Sequence, residues 1–469
     1  MSTAQGSLAT ATATATLVPS QSSVLASDNK LSQSTTTKTT KTTESRPKKV
    51  NEFNDGREKP HYTWGQSWKD WIKQSWSSNY DNSTIESRLL SQLPFYPESD
   101  GKRRASVVNT DIGNGQFIHE FYIENIEKDE TPDICKEIVL VHGYAASLGL
   151  FIDNFDLLSS IPGTKIHAID ILGFGLSSRP KFPNLASSSK QDIYKVEDWF
   201  IDPLETWRQK CGINKFVLMG HSFGGYLSCA YALKYNKTIT TPLTGLQSNL
   251  IDKLVLISPV GVERNKYSFL KKESNPRISL EQEVLADQED IVEGKPLEEP
   301  PKTRTRQLFD YMWEKNYSPF SIIRNSGPVK SKLISRWTTH RFAHVYYHDQ
   351  QSFQNMHDYI YRIFNGKGSG EYAITRVLAV GALAKLPLID RCPKRFVDMK
   401  LPTLWIYGDK DWMNDEAGLE MTNEINDLSI DEYSKKLASF KIIKNAGHHL
   451  YLDNPPDFAR VIFKFLNLK

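Results

Sequence analysis

Residues 215–234 read KFVLM-GHSFG-GYLSCAYALK. A short apolar run, Phe216–Met219, leads directly into Gly220-His221-Ser222-Phe223-Gly224, and Gly225–Lys234 then has the composition of a helix. Apolar runs of this length are strands buried on both faces, so the stretch predicts a strand, a sharp turn and a helix, with Ser222 at the tip. The flanking glycines let the helix pack close and avoid a Cβ clash. Such a turn exposes a serine Oγ at the carboxyl end of a sheet, above a helix amino terminus that favours a developing anion. The plain alternative is an ordinary glycine-rich turn; the strand before and the helix after argue against it.

Working outward, further short apolar runs bounded by Gly and Asp occur at Ile138–Val141, Ile166–Ile169, Leu254–Ile257, Leu404–Tyr407 and Phe440–Ile443, with helical stretches between them. They predict an α/β chain with a mostly parallel central sheet flanked by helices. Arg104–Asn109 and Phe117–Glu124 flank Asn114-Gly115, a hairpin signal. The interval from Leu254–Ile257 to Leu404–Tyr407 is too long for a simple crossover and contains aromatic, helical-looking material around Trp313, Trp337 and Phe342–Tyr347. It reads as an inserted, mostly helical cap. The expected organisation is 1–60 disordered or a targeting segment, 61–97 a Trp-rich helical segment, 98–262 and 396–469 the two parts of the core, and 263–395 the cap, with an acidic loop at 281–299.

Composition narrows the function classes. The 469 residues carry 58 Lys and Arg against 55 Asp and Glu, net +3, which gives no electrostatic footprint for nucleic acid. Mean hydropathy is −0.47 and no apolar run is long enough to span a bilayer. Cys135, Cys211, Cys229 and Cys392 are far apart without CxxC spacing, as expected of reduced, mostly buried thiols in an intracellular compartment. The first fifty residues are rich in Ser, Thr and Ala, hold no aromatic residue, and have only Asp28 and Glu44 as acids. A transit segment and plain disorder both fit, although no basic residue precedes Lys30. Trp64, Trp68, Trp71, Ile72 and Trp76 then recur at helical spacing. Such a helix either packs its rings on the domain or lies in a membrane interface, where Trp is favoured.

A serine nucleophile needs a base to take its proton and an acid to orient that base, in the chain order Ser, Asp or Glu, His on such a sheet. His448, directly after Gly447 and the last strand, is the expected base, with His449 the alternative. Asp411, three beyond Gly408 in the loop after Leu404–Tyr407, is the expected acid; Asp409 reads as a turn residue and Glu263 as the other acid candidate. The oxyanion needs two donors fixed in advance: the amide of Phe223, and that of Tyr144 in the loop His142-Gly143-Tyr144 after Ile138–Val141. No metal or cofactor is called for. His142 and His221 flank the site but share no ligand spacing with a carboxylate or third His, so they read as structural.

The series His142-Gly143, Asp170-x-x-Gly173-x-Gly175-x-Ser177, Gly220–Gly224, Gly408-x-x-Asp411 and Gly447-His448 resembles the α/β-hydrolase superfamily. Trp313, Asn316, Pro319, Arg324, Gly327-Pro328 and Ser369-Gly370-Glu371 narrow the resemblance to the phospholipid lipases and lysophosphatidic acid acyltransferases. Within these, LVHGYAASLGL (Leu140–Leu150) and HAIDILGFGLSSRP (His167–Pro180) are most similar to the fungal mitochondrial cardiolipin deacylases. The resemblance implies a serine hydrolase that removes acyl chains from a membrane phospholipid, with cardiolipin preferred. It also implies peripheral attachment to the mitochondrial inner membrane; a cytoplasmic, lipid-droplet or endoplasmic-reticulum surface is the alternative. The subfamily's H-x4-D element of acyl transfer is matched by His448 and Asp453, so acyl-CoA-dependent transfer to a lysophospholipid stands as a second reading; from the residues alone Asp453 reads as closing the loop after the histidine. Some members lack the serine and act as lipase coactivators, so a non-catalytic lipid-binding scaffold is a third reading; Ser222 argues against it here.

Overall fold

At the Asn114-Gly115 turn both central residues take positive φ (55° and 67°), the geometry that matches the right-handed twist of two paired strands. It joins β1 (Arg103–Gly113) to β2 (Gln116–Asn125) in antiparallel register. The other strands of the main sheet are β3 (Glu137–Val141), β4 (Lys165–Asp170), β5 (Phe216–His221), β6 (Ile251–Ile257), β7 (Thr403–Gly408) and β8 (Ala438–Ile443). In this computed structural model, which describes residues 62–77, 81–240, 247–270, 318–379 and 381–468, they form one eight-stranded sheet. Its order is β1-β2-β4-β3-β5-β6-β7-β8, parallel from β4 onward. The expected amino-terminal segment 1–60 and the acidic loop 281–299 lie outside the described residues.

The apolar runs form strands because both faces are covered. On one face lie α4 (Lys190–Lys210), α5 (Phe223–Tyr235) and α9 (Asp415–Tyr433), packing Phe200, Tyr226 and Met421 against Val139, Leu218 and Trp405. On the other lie α2 (Asn82–Leu90), α3 (Ile152–Leu158) and α10 (Pro455–Leu466), packing Leu89, Phe155 and Ile462 against Leu140, Met219 and Ile406. Between β6 and β7 come α6 (Pro319–Asn325), α7 (Lys330–His348) and α8 (Gln350–Asn365), the helical cap. Its Ile323, Trp337, Tyr359 and Phe364 join the second apolar cluster, so the cap is fastened to the core by burial.

One expectation needs correction. Cys229 and Cys392 are buried, but Cys135 is only half-buried and Cys211 is exposed; Cys211 follows α4 at its C-cap, where the chain comes to the surface. The Trp-rich segment forms α1 (Trp64–Trp76), started by a reciprocal capping box between Thr63 and Gln66. Its orientation is the reverse of a core helix: Ser67, Asp70 and Gln74 are buried, whereas Trp64, Trp68, Ile72 and Trp76 are exposed. Trp71 is half-buried. No helix among the described residues is long and apolar enough to cross a membrane.

Candidate active site

Strand β3 lies between β4 and β5, so the strand order reverses there, and open α/β sheets place their sites at the carboxyl ends of strands beside such a switch. The Gly220–Gly224 turn sits at this point. Ser222 holds φ 52°, ψ −117°, a conformation a non-glycine residue adopts only when its surroundings over-determine it. They do. The Ser222 amide donates to Ile257 O (2.9 Å), and its carbonyl accepts from Tyr226 N (3.1 Å) and Val260 N (3.3 Å). A Cβ on Gly220 would come within 2.5 Å of Gly224 O, and one on Gly224 within 2.3 Å of His142 O. Only glycine fits either place.

The turn's sequence predicts an exposed tip, but Ser222 is 7% accessible. The loop after β3 presses on it, since a Cβ on Gly143 would lie 3.0 Å from Ser222 Cβ. The cap also reaches this loop: the ring of Tyr144 packs 6.0 Å from that of Phe320 in α6.

The structure brings His448 and Asp411 together. His448 Nδ1 lies 3.2 Å from Asp411 Oδ1, and Asp411 Oδ1 also accepts from the Met413 amide (3.0 Å). Burial by itself would raise the Asp411 carboxyl, but the charge and hydrogen bond of His448, with Ser258 and the Met413 amide, outweigh it and hold the group below the usual carboxylate range. Behind the histidine, His221 Nε2 donates to His448 O (3.1 Å), and the Trp412 ring packs 4.8 Å from the imidazole.

The alternatives fall elsewhere. Asp409 accepts from the Ala446 amide (3.0 Å), a loop brace. Glu263 is held by its own and the Val262 amides, with burial raising its carboxyl to about 7. His449 is kept well below the ordinary histidine range by burial and then by Arg341 of α7; its ring is 5.4 Å from that of His448.

The proposed oxyanion loop is built by His142. Its Nε2 accepts from the Ile171 amide (3.1 Å), so Nδ1 bears the proton and donates to Gly143 O (2.7 Å). Burial lowers its pKa and keeps this neutral tautomer. Tyr144 is the next residue after that pinned glycine, while Phe223 opens α5, where first-turn amides have no helical acceptor. His142 and His221 thus both serve as braces.

Ser258 and the Asp170–Ser177 series contribute to the site beyond the residues expected from the sequence. Ser258, at the end of β6, donates to Asp411 Oδ2 (2.5 Å) and accepts from His448 Nδ1 (2.8 Å). The sequence held no local signal for it: β6 lies between β5, which leads into Ser222, and β7, which leads to Asp411, and only the sheet order brings them side by side. The Asp170–Ser177 series is a brace. Asp170 accepts from the Leu148 and Leu176 amides, both at 2.7 Å, and Gly175 leaves the space its carboxylate fills. Asp453 accepts from the Gly447 amide (2.7 Å), so it ties down the loop that presents His448.

Residues 136–455 match the model of the alpha/beta hydrolase fold family. The chain belongs to that family. Among relatives of this alpha/beta hydrolase, a probable 1-acylglycerol-3-phosphate O-acyltransferase of Oryza sativa is 28% identical over 419 residues, covering 86% of each chain. The 1-acylglycerol-3-phosphate O-acyltransferase ICT1 of Saccharomyces cerevisiae is 28% identical over 397 residues, 78% of this chain and 89% of that one. The (lyso)-N-acylphosphatidylethanolamine lipase of Mus musculus is 28% identical over 344 residues, 73% and 80%. The chain is therefore an alpha/beta hydrolase related to lipid-modifying enzymes, and its class in general terms is ester hydrolase.

Proposed function

We propose that this hydrolase deacylates a membrane phospholipid, with cardiolipin the preferred substrate, and that Ser222, His448 and Asp411 carry the reaction. The observation that supports the reading is the commitment of His448 Nδ1 to Asp411 and Ser258, which leaves Nε2 for proton traffic with Ser222. Ser222 Oγ attacks the acyl carbonyl as its proton passes to His448 Nε2. The Phe223 and Tyr144 amides stabilise the oxyanion. Collapse breaks the ester C–O bond; the leaving lysolipid oxygen takes the proton from His448, and the acyl group stays on Ser222. Water, deprotonated by His448, then attacks the acyl-enzyme and releases free fatty acid.

The names of two relatives favour a second reading. An acyl-enzyme can equally be opened by a lysophospholipid hydroxyl, with acyl-CoA as the donor that first loads Ser222. Product analysis separates the two. Purified protein on diacyl phospholipid vesicles without acyl-CoA should release lysolipid and fatty acid in equal amounts; acylation of lysophosphatidic acid that strictly needs acyl-CoA, with no fatty acid released in its absence, would replace hydrolysis by transfer. Cardiolipin preference rests on the resemblance of Leu140–Leu150 and His167–Pro180, and competition among vesicles of different head groups tests it. The same resemblance points to peripheral attachment at the mitochondrial inner membrane, tested by fractionation with carbonate extraction.

A further inference from the structure

Helix α1 is fastened by polar groups and presents apolar ones outward. Ser67 donates to Pro328 O (2.6 Å) and accepts from the Lys332 amide (2.9 Å). Asp70, buried, accepts from the Ser331 hydroxyl and stands 3.5 Å from His357 Nε2. Gln74 donates to Asp358 (2.9 Å), and its carbonyl accepts from Arg362 (2.9 Å). Every one of these partners belongs to the cap. Burying polar groups is costly unless they are paired, and pairing them leaves the indoles outside. Trp64, Trp68, Ile72 and Trp76, spaced by four, form one exposed ridge, and Trp71 meets Trp68 and Trp76 edge to face at 5.6 and 5.3 Å.

Charge singles out the occupant. The charged residues of α1 are Lys69, Asp70 and Lys73; Asp70 is buried and both lysines are exposed. The ammonium of Lys332 in α7 adds a cation 4.6 Å from the Trp64 ring. The surface offered to a partner is thus apolar, amphipathic at its rings, and positive. Indoles favour the headgroup boundary, and cations beside them favour anionic lipid.

We infer that α1 is a docking helix for an anionic phospholipid bilayer, clipped through Asp70 to the cap so that docking bears on the candidate active site. The route is short: in α8, His357 and Asp358 hold α1, while the next residue, Tyr359, accepts from the Gly149 amide (3.2 Å) in the loop that follows Tyr144. This deepens the deacylase reading and rests on it, because the substrate would lie in the layer that α1 touches.

The full chain tests the inference by sedimentation with phosphatidylcholine vesicles, with or without cardiolipin, and by hydrolysis of a soluble short-chain ester. Replacing Trp64, Trp68 and Trp76 by Ser should weaken partitioning about tenfold or more, with ester turnover and melting temperature unchanged. Lys69→Glu with Lys73→Glu should remove the preference for cardiolipin-containing vesicles and leave neutral ones alone. Asp70→Asn should sediment like the parent yet hydrolyse vesicle lipid several-fold more slowly. Unchanged sedimentation of the Trp variant overturns the docking; so does a loss of ester turnover and melting temperature together, which makes the ridge part of the fold, or a change in oligomeric state alone, which makes it a self-association surface. Vesicle hydrolysis untouched by Asp70→Asn overturns the clip. Failure of the deacylase reading is seen separately, as parent protein that sediments but cleaves no ester.

Discussion

Ser258 Oγ stands 2.8 Å from His448 Nδ1, nearer than the 3.2 Å from that nitrogen to Asp411 Oδ1. The acid thus reaches the histidine twice, once directly and once through a hydroxyl that itself donates to Asp411 Oδ2 at 2.5 Å. Ser258 is fully buried and sits at φ 46°, a left-handed conformation that costs a non-glycine residue roughly 1–2 kcal/mol. The strain places a hydroxyl between acid and base. We expect Ser258→Ala to lower kcat on a soluble ester roughly tenfold with little change in KM, as loss of one positioning hydrogen bond should. Ser258→Gly should lose the same activity but melt higher than Ser258→Ala, because glycine tolerates the backbone. Equal activity of parent and Ser258→Ala would remove the hydroxyl from the orienting machinery.

Ser222 carries similar strain. Ser222→Ala should cut ester turnover by several orders of magnitude, as loss of a triad member does elsewhere, while unfolding near the parent's temperature. Ser222→Gly should be just as inactive and more stable by about 1 kcal/mol, measured by thermal or denaturant unfolding. Asp411→Asn should be far more damaging to turnover than Asp409→Asn or Glu263→Gln, because an amide supports the wrong histidine tautomer. If Glu263→Gln were the crippling change, the acid would be misassigned.

The buried strands and the serine turn were legible because each is a local pattern: an apolar run, a glycine pair, a helix start. Ser258 was not, since its role arises from the sheet placing β6 between β5 and β7, a relation between distant segments. The direction of α1 was hidden for another reason. Spacing puts Trp64, Trp68 and Ile72 on one face, but periodicity does not say which face turns inward; that was decided by partners for Asp70 and Gln74 more than two hundred and fifty residues away. Cover over Ser222 was invisible for the same reason, as it comes from the Gly143 loop, which the cap contacts through Phe320 and Tyr144.

The Gly143 position tests the oxyanion loop. A Cβ there would come within 2.9 Å of His221 Nδ1 and 3.0 Å of Ser222 Cβ, so Gly143→Ala must move the loop that carries the Tyr144 amide. Loss of one oxyanion donor costs about 100- to 1000-fold in kcat, and a displaced donor should cost a large part of that. KM for a short-chain ester should hardly change. A kcat within twofold of the parent would show that Tyr144 supplies no donor.

Glu263 sets a pH dependence of stability. Its carboxyl is raised to about 7 by burial from an ordinary value of 4.5, so between those values the folded chain binds a proton that the unfolded chain has released. Stability therefore falls as pH rises from about 4.5 to about 7 and changes no further from this group above that. Glu263→Gln removes the ionisation, so its melting temperature relative to the parent should be higher at pH 8 than at pH 5. An equal difference at both values would show that the carboxyl titrates normally.

Asp453 decides how the H-x4-D element is to be understood. If it recognised an acyl acceptor, its carboxylate would be needed for transfer and dispensable for hydrolysis. In the structure it accepts from the Gly447 amide at 2.7 Å, one residue before His448, and so acts on the loop that presents the base. In the proposed mechanism His448 serves the acylation step and both fates of the acyl-enzyme, whichever nucleophile arrives. Asp453→Ala should therefore slow the release of fatty acid and the acylation of an added lysophospholipid by the same factor, roughly tenfold for loss of a charge-assisted hydrogen bond. With water and lysophospholipid competing in one assay, the ratio of fatty acid to transfer product should stay that of the parent. Asp453→Asn, whose amide oxygen can still accept from Gly447, should recover most of both rates. Selective loss of the transfer product, with hydrolysis intact, would instead make Asp453 a contact for the acceptor and shift the proposed function toward acyl transfer.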